Sequence, residues 1–431
     1  MRLLRWLPIV AVSAVTACSS LLGIHDPEIE RLGGGGPTVE GGNVDEAGNP
    51  IDGGPNPEGG VDSGLVCAKH RGNCNTLLED GCETDLTTPA NCGSCDHVCL
   101  ACSNGQCAPQ TVATGGGLDY AGFISVDDKA AGFVYWASEG SKGLYATAKS
   151  NGTPVLKVGS DPFDATSIYV GASYVGATVY TIAEGVRMYD PTSQAAYTGI
   201  QLDACNRALG LVADETGAVY YAHASQVPGT CGMATIDITK RTPSGGGAFQ
   251  QPWTFEAGGY RAGESEWLAL DANFLYFVGY RNTAAGIFRI GRGGGASAMV
   301  APGNFNSAPL AVDATSIYTL LANDTAAAEL VAYDKLTGVK TILATGERSF
   351  APSAVANSAR KAQLVIDATH VYWTAADDTG SPTALGRIMR IPKAGGAKEI
   401  LADKQTGAYG VAIDATFVYW TTATAIKRVP K

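Results

Sequence analysis

Charge is scarce in this chain: Asp, Glu, Lys and Arg together make up 16% of its 431 residues. No basic run or stripe breaks that pattern, and the formal net charge is −11 at pH 7. The electrostatic footprint of a nucleic-acid binder is therefore missing. Histidine is also rare, with His25, His70, His97, His223 and His370 making the whole set. No Gly-x-Ser-x-Gly elbow accompanies them, so nucleophilic hydrolysis has few parts to work with. No acidic loop has the Asp-x-Asp-x-Asp-Gly spacing of an EF-hand, which leaves calcium unsupported. No cofactor and no resident metal are predicted.

What the chain has in excess is glycine, at 55 residues, nearly twice ordinary usage, together with a repeat. Ile366-Asp-Ala-Thr-His-Val-Tyr-Trp-Thr374 recurs as Ile413-Asp-Ala-Thr-Phe-Val-Tyr-Trp-Thr421. Weaker copies place the same tyrosine at Tyr135, Tyr180, Tyr220, Tyr276 and Tyr318. A period of roughly 45 residues in strand-like segments is the signature of blades arranged in a ring. The predicted fold is all-β, a seven-bladed β-propeller of four-stranded antiparallel blades over 109–431. Six blades are the alternative, because the copy around Asp164 to Tyr189 is degenerate. In the sixth copy the four strands are expected over 363–367, 370–375, 386–392 and 398–402, with Asp-Ala-Thr and Lys393-Ala-Gly-Gly396 as turns. The last copy stops after its third strand, and Gln110-Thr-Val-Ala-Thr114 precedes the first copy as a strand without a blade. Pairing the two would close the ring and leave no edge unmatched.

The N-terminus reads as an export signal over 1–17. Arg2 and Arg5 form the charged region, and Leu7 to Val15 an apolar stretch too short to span a bilayer. Val15-Thr16-Ala17-Cys18-Ser19-Ser20 resembles a bacterial lipobox. That resemblance implies acylation of Cys18 and a membrane anchor, with Ser19 favouring the outer membrane, periplasm-facing or at the cell surface; the plain alternative is ordinary cleavage with Cys18 incidental. Residues 18–64 then form a flexible linker, opened by Gly33-Gly34-Gly35-Gly36-Pro37 and too poor in apolar side chains to fold alone.

Eleven cysteines in an exported chain argue for disulfides. Apart from Cys18 they are Cys67, Cys74, Cys82, Cys92, Cys95, Cys99, Cys102 and Cys107 in a small module over 65–108, and Cys205 and Cys231 within the repeats. A module of that size needs staples in place of a core, and its connectivity stays open. The paired Cys-x-x-Cys motifs could be zinc ligands instead, but the gap between them is shorter than in a zinc ribbon. Gly81-Cys82-Glu83-Thr84-Asp85 followed by Asn91-Cys92-Gly93-Ser94-Cys95 resembles a cysteine module of myxobacterial surface proteins. The Tyr-Trp-Thr triplets resemble the YWTD-type propellers of the low-density-lipoprotein receptor class. The acid of that motif is replaced by Ala375 or Thr422, so the ligand habits of that class do not carry over. Bacterial surface propellers with Asp-Ala-Thr-x-Val-Tyr-Trp-Thr and Pro-Lys-x-Gly-Gly repeats are a closer match.

Asp127, Asp214, Asp271, Asp313, Asp367 and Asp414 each end a predicted innermost strand. A carboxylate there accepts hydrogen bonds from its own downstream backbone, so an architectural role is expected over a catalytic or metal-binding one. The opposite rim, where propellers usually present a binding face, is assigned Tyr120, Arg207, Glu266, Asn306, Lys361 and Tyr409. The reading is a binding module for a protein or polysaccharide, held to the membrane through Cys18. The alternative is a hydrolase or lactonase with a funnel built from loops.

Overall fold

The computed structural model describes residues 67–75 and 81–115, and within 118–431 the strands and most of their turns. Segments 1–66, 158–172, 202–207, 227–232, 243–252, 261–267, 348–362 and 377–384 are among those outside the described residues. The predicted signal, the anchor at Cys18 and the linker fall there.

Past residue 110 the chain is a β-propeller of antiparallel strands. Its sheets are 121–157, 173–201, 208–302, 310–347 and 364–406, and a last one made of 411–430 with Gln110–Thr114. These are six hydrogen-bonded sheets and not the seven expected. The count falls because the third and fourth repeats share one sheet of eight strands, in which Trp253–Tyr260 meets Phe274–Arg281 at the single pair Tyr260 and Arg281. The other sheets have four strands each. Within a repeat the strands lie in chain order from the axis outward, as Leu364–Ile366, His370–Ala376, Leu385–Pro392 and Glu399–Thr406 do. These agree with the expected spans to within a few residues at the ends.

Alternation explains the packing. In His370–Ala376, Tyr372 and Trp373 face opposite sides of the sheet, and both are buried because sheets flank it on each side. Trp373 packs with Tyr318, Leu330 and Leu343 of the preceding sheet, while Tyr372 packs with Val411, Val418 and Trp420 of the next. Trp136 and Tyr419 meet across the join between the last sheet and the first. A fully buried tryptophan in such a seam costs roughly 3–5 kcal/mol to truncate to alanine.

Gln110–Thr114 supplies the fourth strand of the last sheet, pairing Thr114 with Ala425 and Ala113 with Ile426. The ring thus closes by strand exchange, and Val112 and Ala113 are buried in the same seam.

The cysteine module is held by four disulfides, Cys67–Cys82, Cys74–Cys95, Cys92–Cys102 and Cys99–Cys107. The Sγ atoms of Cys92, Cys99 and Cys107 cluster closely, but all three are spent in bridges, which answers the zinc alternative at these positions. The module rests on the outer strand of the 364–406 sheet: Gln106 Nε2 donates to the Ile400 carbonyl at 3.4 Å. Cys92, Cys99 and Cys107 share a buried cluster with Leu401 and Trp420. Cys205 and Cys231 lie outside the described residues.

Candidate functional site

The two faces of the ring are built differently. On the face where innermost strands end, each repeat turns through its aspartate. Asp313 Oδ1 accepts the Thr315 and Ser316 amides at 3.0 and 2.9 Å. Asp271, Asp367 and Asp414 accept the equivalent pairs, and Asp214 takes Thr216 and Ala218. The second oxygen accepts a tyrosine hydroxyl from the neighbouring strand: Tyr276 on Asp271, Tyr318 on Asp313, Tyr372 on Asp367 and Tyr419 on Asp414. These contacts are the local backbone role expected of the aspartates.

A third partner was not legible as such in the sequence. The same oxygen receives a cation from the following repeat: Arg292 on Asp214 at 2.6 Å, Lys335 on Asp271 at 2.6 Å, and Lys393 on Asp313 at 2.8 Å. Lys431 on Asp367 at 3.1 Å and Lys149 on Asp414 at 3.0 Å continue the series. Each cation sits just after a third strand, and its backbone amide is fixed to the turn of its own repeat, as Lys393 N is to the Thr369 carbonyl at 2.8 Å. Gly395 and Gly396, with φ of 83° and 120°, provide the left-handed turn that follows it. Three of the lysines also lie over the tyrosine of the clasp, Lys335 on Tyr276, Lys393 on Tyr318 and Lys431 on Tyr372.

Burial works against ionising Asp271, Asp313 and Asp367, but the lysine, backbone and tyrosine hydrogen bonds outweigh it, and all three carboxyls are held below their ordinary range. Burial and then the aspartate push the Tyr318 hydroxyl up to about 12, and Tyr276, Tyr372 and Tyr419 higher. An ionised aspartate with every oxygen occupied is a joint between sheets, not a spare acid or metal ligand. The signal that would have found the cations is the Lys or Arg recurring before glycine-rich turns, as in Lys393-Ala-Gly-Gly396 and Arg292-Gly-Gly-Gly295.

Along the axis runs a channel of about 380 Å³ walled by innermost strands. Its lining is mostly Ile, Leu, Val and Ala, with Ser125 and Gln363 the polar members and no ionisable side chain among the described residues. Gln363 sits where its strand begins. Its Oε1 accepts the Val411 amide at 3.1 Å and its Nε2 donates to the Ile124 carbonyl at 3.2 Å. It thereby ties together the free edges of two neighbouring innermost strands.

The connections that lead into the innermost strands differ in length, from 407–410 before Val411–Ile413 to 348–363 before Leu364–Ile366. Of the rim residues expected there, Tyr120, Arg207, Glu266, Asn306 and Lys361 lie outside the described residues. Tyr409 is described and corrects the expectation. It is only 5% exposed, its amide donates to the Thr421 carbonyl at 3.1 Å, and its own carbonyl accepts the Thr374 hydroxyl at 2.7 Å. It is buried because the short link from Thr406 to Val411 folds against the next strand, instead of standing out as a loop.

No protein-family model matches the chain. No curated protein sequence matches it either. Among solved structures, virginiamycin B lyase from Staphylococcus aureus is similar at a TM-score of 0.52 with 10% identity, over 75% of this chain and 99% of that one. Puromycin hydrolase is similar at a TM-score of 0.50 with 13% identity, over 73% of this chain and 53% of that one. At such low identity these likenesses carry the fold and no more: the chain is a β-propeller preceded by a disulfide-rich module.

Proposed function

We propose that this is a lipid-anchored cell-envelope protein whose propeller binds a protein or glycan through the face on which its innermost strands begin. The observation that carries the reading is the asymmetry of the two faces. On the far face the aspartates of five repeats, with their tyrosines and cations, are consumed in joints. On the near face the connections range from the short 407–410 to the long 348–363, and others among them hold Arg207, Glu266 and Asn306 in sequence, with Lys361 in the longest. Loops free of scaffolding duty on a rigid support are where recognition residues concentrate. The acyl anchor at Cys18 and the glycine-rich linker up to residue 64 would lift that face away from an outer-membrane surface. A hydrolase or lactonase on the same ring would need titratable groups at the axis, and the described channel lining offers none.

The test places a photo-cross-linking residue at Lys361 on the proposed binding face and, separately, at Leu336, an exposed residue of the far face. On intact cells the first is expected to give a discrete adduct and the second none. Adducts from position 336 alone would overturn the assignment. Cys18→Ser is expected to abolish incorporation of labelled palmitate; undiminished labelling would remove the anchor.

A further inference from the structure

Lys427 stands at a position that most repeats give to their core. It lies directly opposite Trp420 in the last sheet. At that place five of the other six repeats have Tyr145, Thr239, Phe288, Val331 and Met389, all uncharged and buried. Directly opposed residues share a face of the sheet, with their Cβ atoms about 5 Å apart. That face looks into the seam with the 364–406 sheet, where Trp420 packs with Leu401 and Ala402 and Lys427 Nζ donates to Gln405 Oε1 at 3.0 Å. Gln405 is buried and held in turn, its Nε2 donating to the Asp403 carbonyl at 2.6 Å. The half-buried ammonium is thus met by a neutral amide oxygen, and burial pushes it below its ordinary range. Across from it Trp420 is fully buried, and its Nε1–H finds no acceptor among the described residues. Gln405 is next to last in Glu399–Thr406, and the link to Val411–Ile413 follows. The pair therefore lies at the end of the seam nearest the face on which innermost strands begin.

We propose that Lys427 Nζ and Trp420 Nε1 form a niche for a carboxylate of the propeller's ligand, one donor for each oxygen. A positive charge set in an apolar seam calls for a negative partner. A buried donor left unpaired marks a place for an acceptor from outside the chain. The single charge of Lys427 balances a carboxylate, whereas a phosphate monoester brings nearly two charges. An apolar residue would serve the seam better, and a lysine kept at the expense of stability is typical of a functional site. The inference rests on the binding reading and deepens it by giving the ligand a negative group. It can also fail alone, because an adduct from position 361 would stand whether or not a carboxylate is held here.

Calorimetry of the full chain in sodium acetate and in sodium chloride, each at about 300 mM, tests it. Acetate is expected to raise the melting midpoint by about 2 °C over chloride. Lys427→Met, which copies Met389, should lose at least half of that gain while melting no lower than the unaltered chain in chloride. An equal gain in Lys427→Met, or none in the unaltered chain, would overturn the proposal. So would a lower melt of Lys427→Met in chloride, which would make Lys427 a structural residue. Trp420→Phe keeps most of the packing and should lose part of the gain; an undiminished gain would overturn the two-donor arrangement. A third arm in sodium phosphate separates the anions. A gain larger than that in acetate, and lost in Lys427→Met, would assign the niche to phosphate and overturn the carboxylate.

Discussion

Replacing Lys393 with methionine isolates the energetic worth of one inter-sheet clasp. The change keeps most of the aliphatic stem and removes the ammonium that lies 2.8 Å from Asp313 Oδ2 and over the Tyr318 ring. Side-chain exposure is 14% for Lys393 and 24% for Asp313, between the screened surface pair, at up to about 1 kcal/mol, and the fully buried pair, whose one-sided removal costs about 3–5 kcal/mol. Asp313 keeps its bonds from Thr315, Ser316 and Tyr318, so its charge is not left bare. A loss of about 2 kcal/mol follows, which for a ring of this size lowers the midpoint of melting by about 4 °C. Differential scanning calorimetry reads that shift. A double-mutant cycle with Asp313→Asn separates the pair from lost packing, and should return a coupling of at least about 1 kcal/mol. A coupling below about 0.3 kcal/mol would mean that solvent screens the pair, and the picture of clasped seams would fail.

Because Asp271, Asp313 and Asp367 have carboxyls held below their ordinary range in the fold, the unfolded chain binds more protons below pH about 4. Stability measured by urea denaturation should therefore be level above that pH and decline steadily as acid is added; a flat profile down to pH about 2.5 would contradict the assignment. Deleting residues 109–116 removes the strand paired with Ala425–Pro430 and should lower the melting midpoint by more than about 10 °C, whereas an unchanged melt would mean that the pairing contributes little. Non-reducing peptide mapping should recover Cys67 with Cys82, Cys74 with Cys95, Cys92 with Cys102 and Cys99 with Cys107; free thiols in the module would refute the pairing. Cys205 and Cys231 are expected in one further linked peptide of the same digest, and two alkylated peptides would refute that.

Much of the propeller was legible because its rules are local. Val-Tyr-Trp runs alternate between two flanking sheets, and an aspartate before a tight turn satisfies amides two and three residues on. Both patterns lie within a ten-residue window. The cation side of the clasp was not legible, since Lys393 and Asp313 are far apart in the chain and meet only once two repeats are stacked. The number of sheets failed for a related reason: the pairing of Tyr260 with Arg281 depends on how far two strands extend beyond their repeats, which no periodicity encodes. Tyr409 was misplaced because alignment locates a residue along a repeat without saying whether its loop stands out or folds in. The fourfold cysteine pairing likewise needed spatial proximity, as spacing alone permits many connectivities.

The strand from Gln110 to Thr114 waits for a partner that is made after every other strand of the ring. Until Ala425–Pro430 emerges from the ribosome, the growing polypeptide is a crescent with a raw β edge at each horn. Burial of Val112 and Ala113 must wait as well, so the ring locks only once Ala425–Pro430 has been made. Loss of the strand Ala425–Pro430 should therefore be felt at Gln110–Thr114, and quality-control proteases would meet an unlatched crescent instead of a locked wheel.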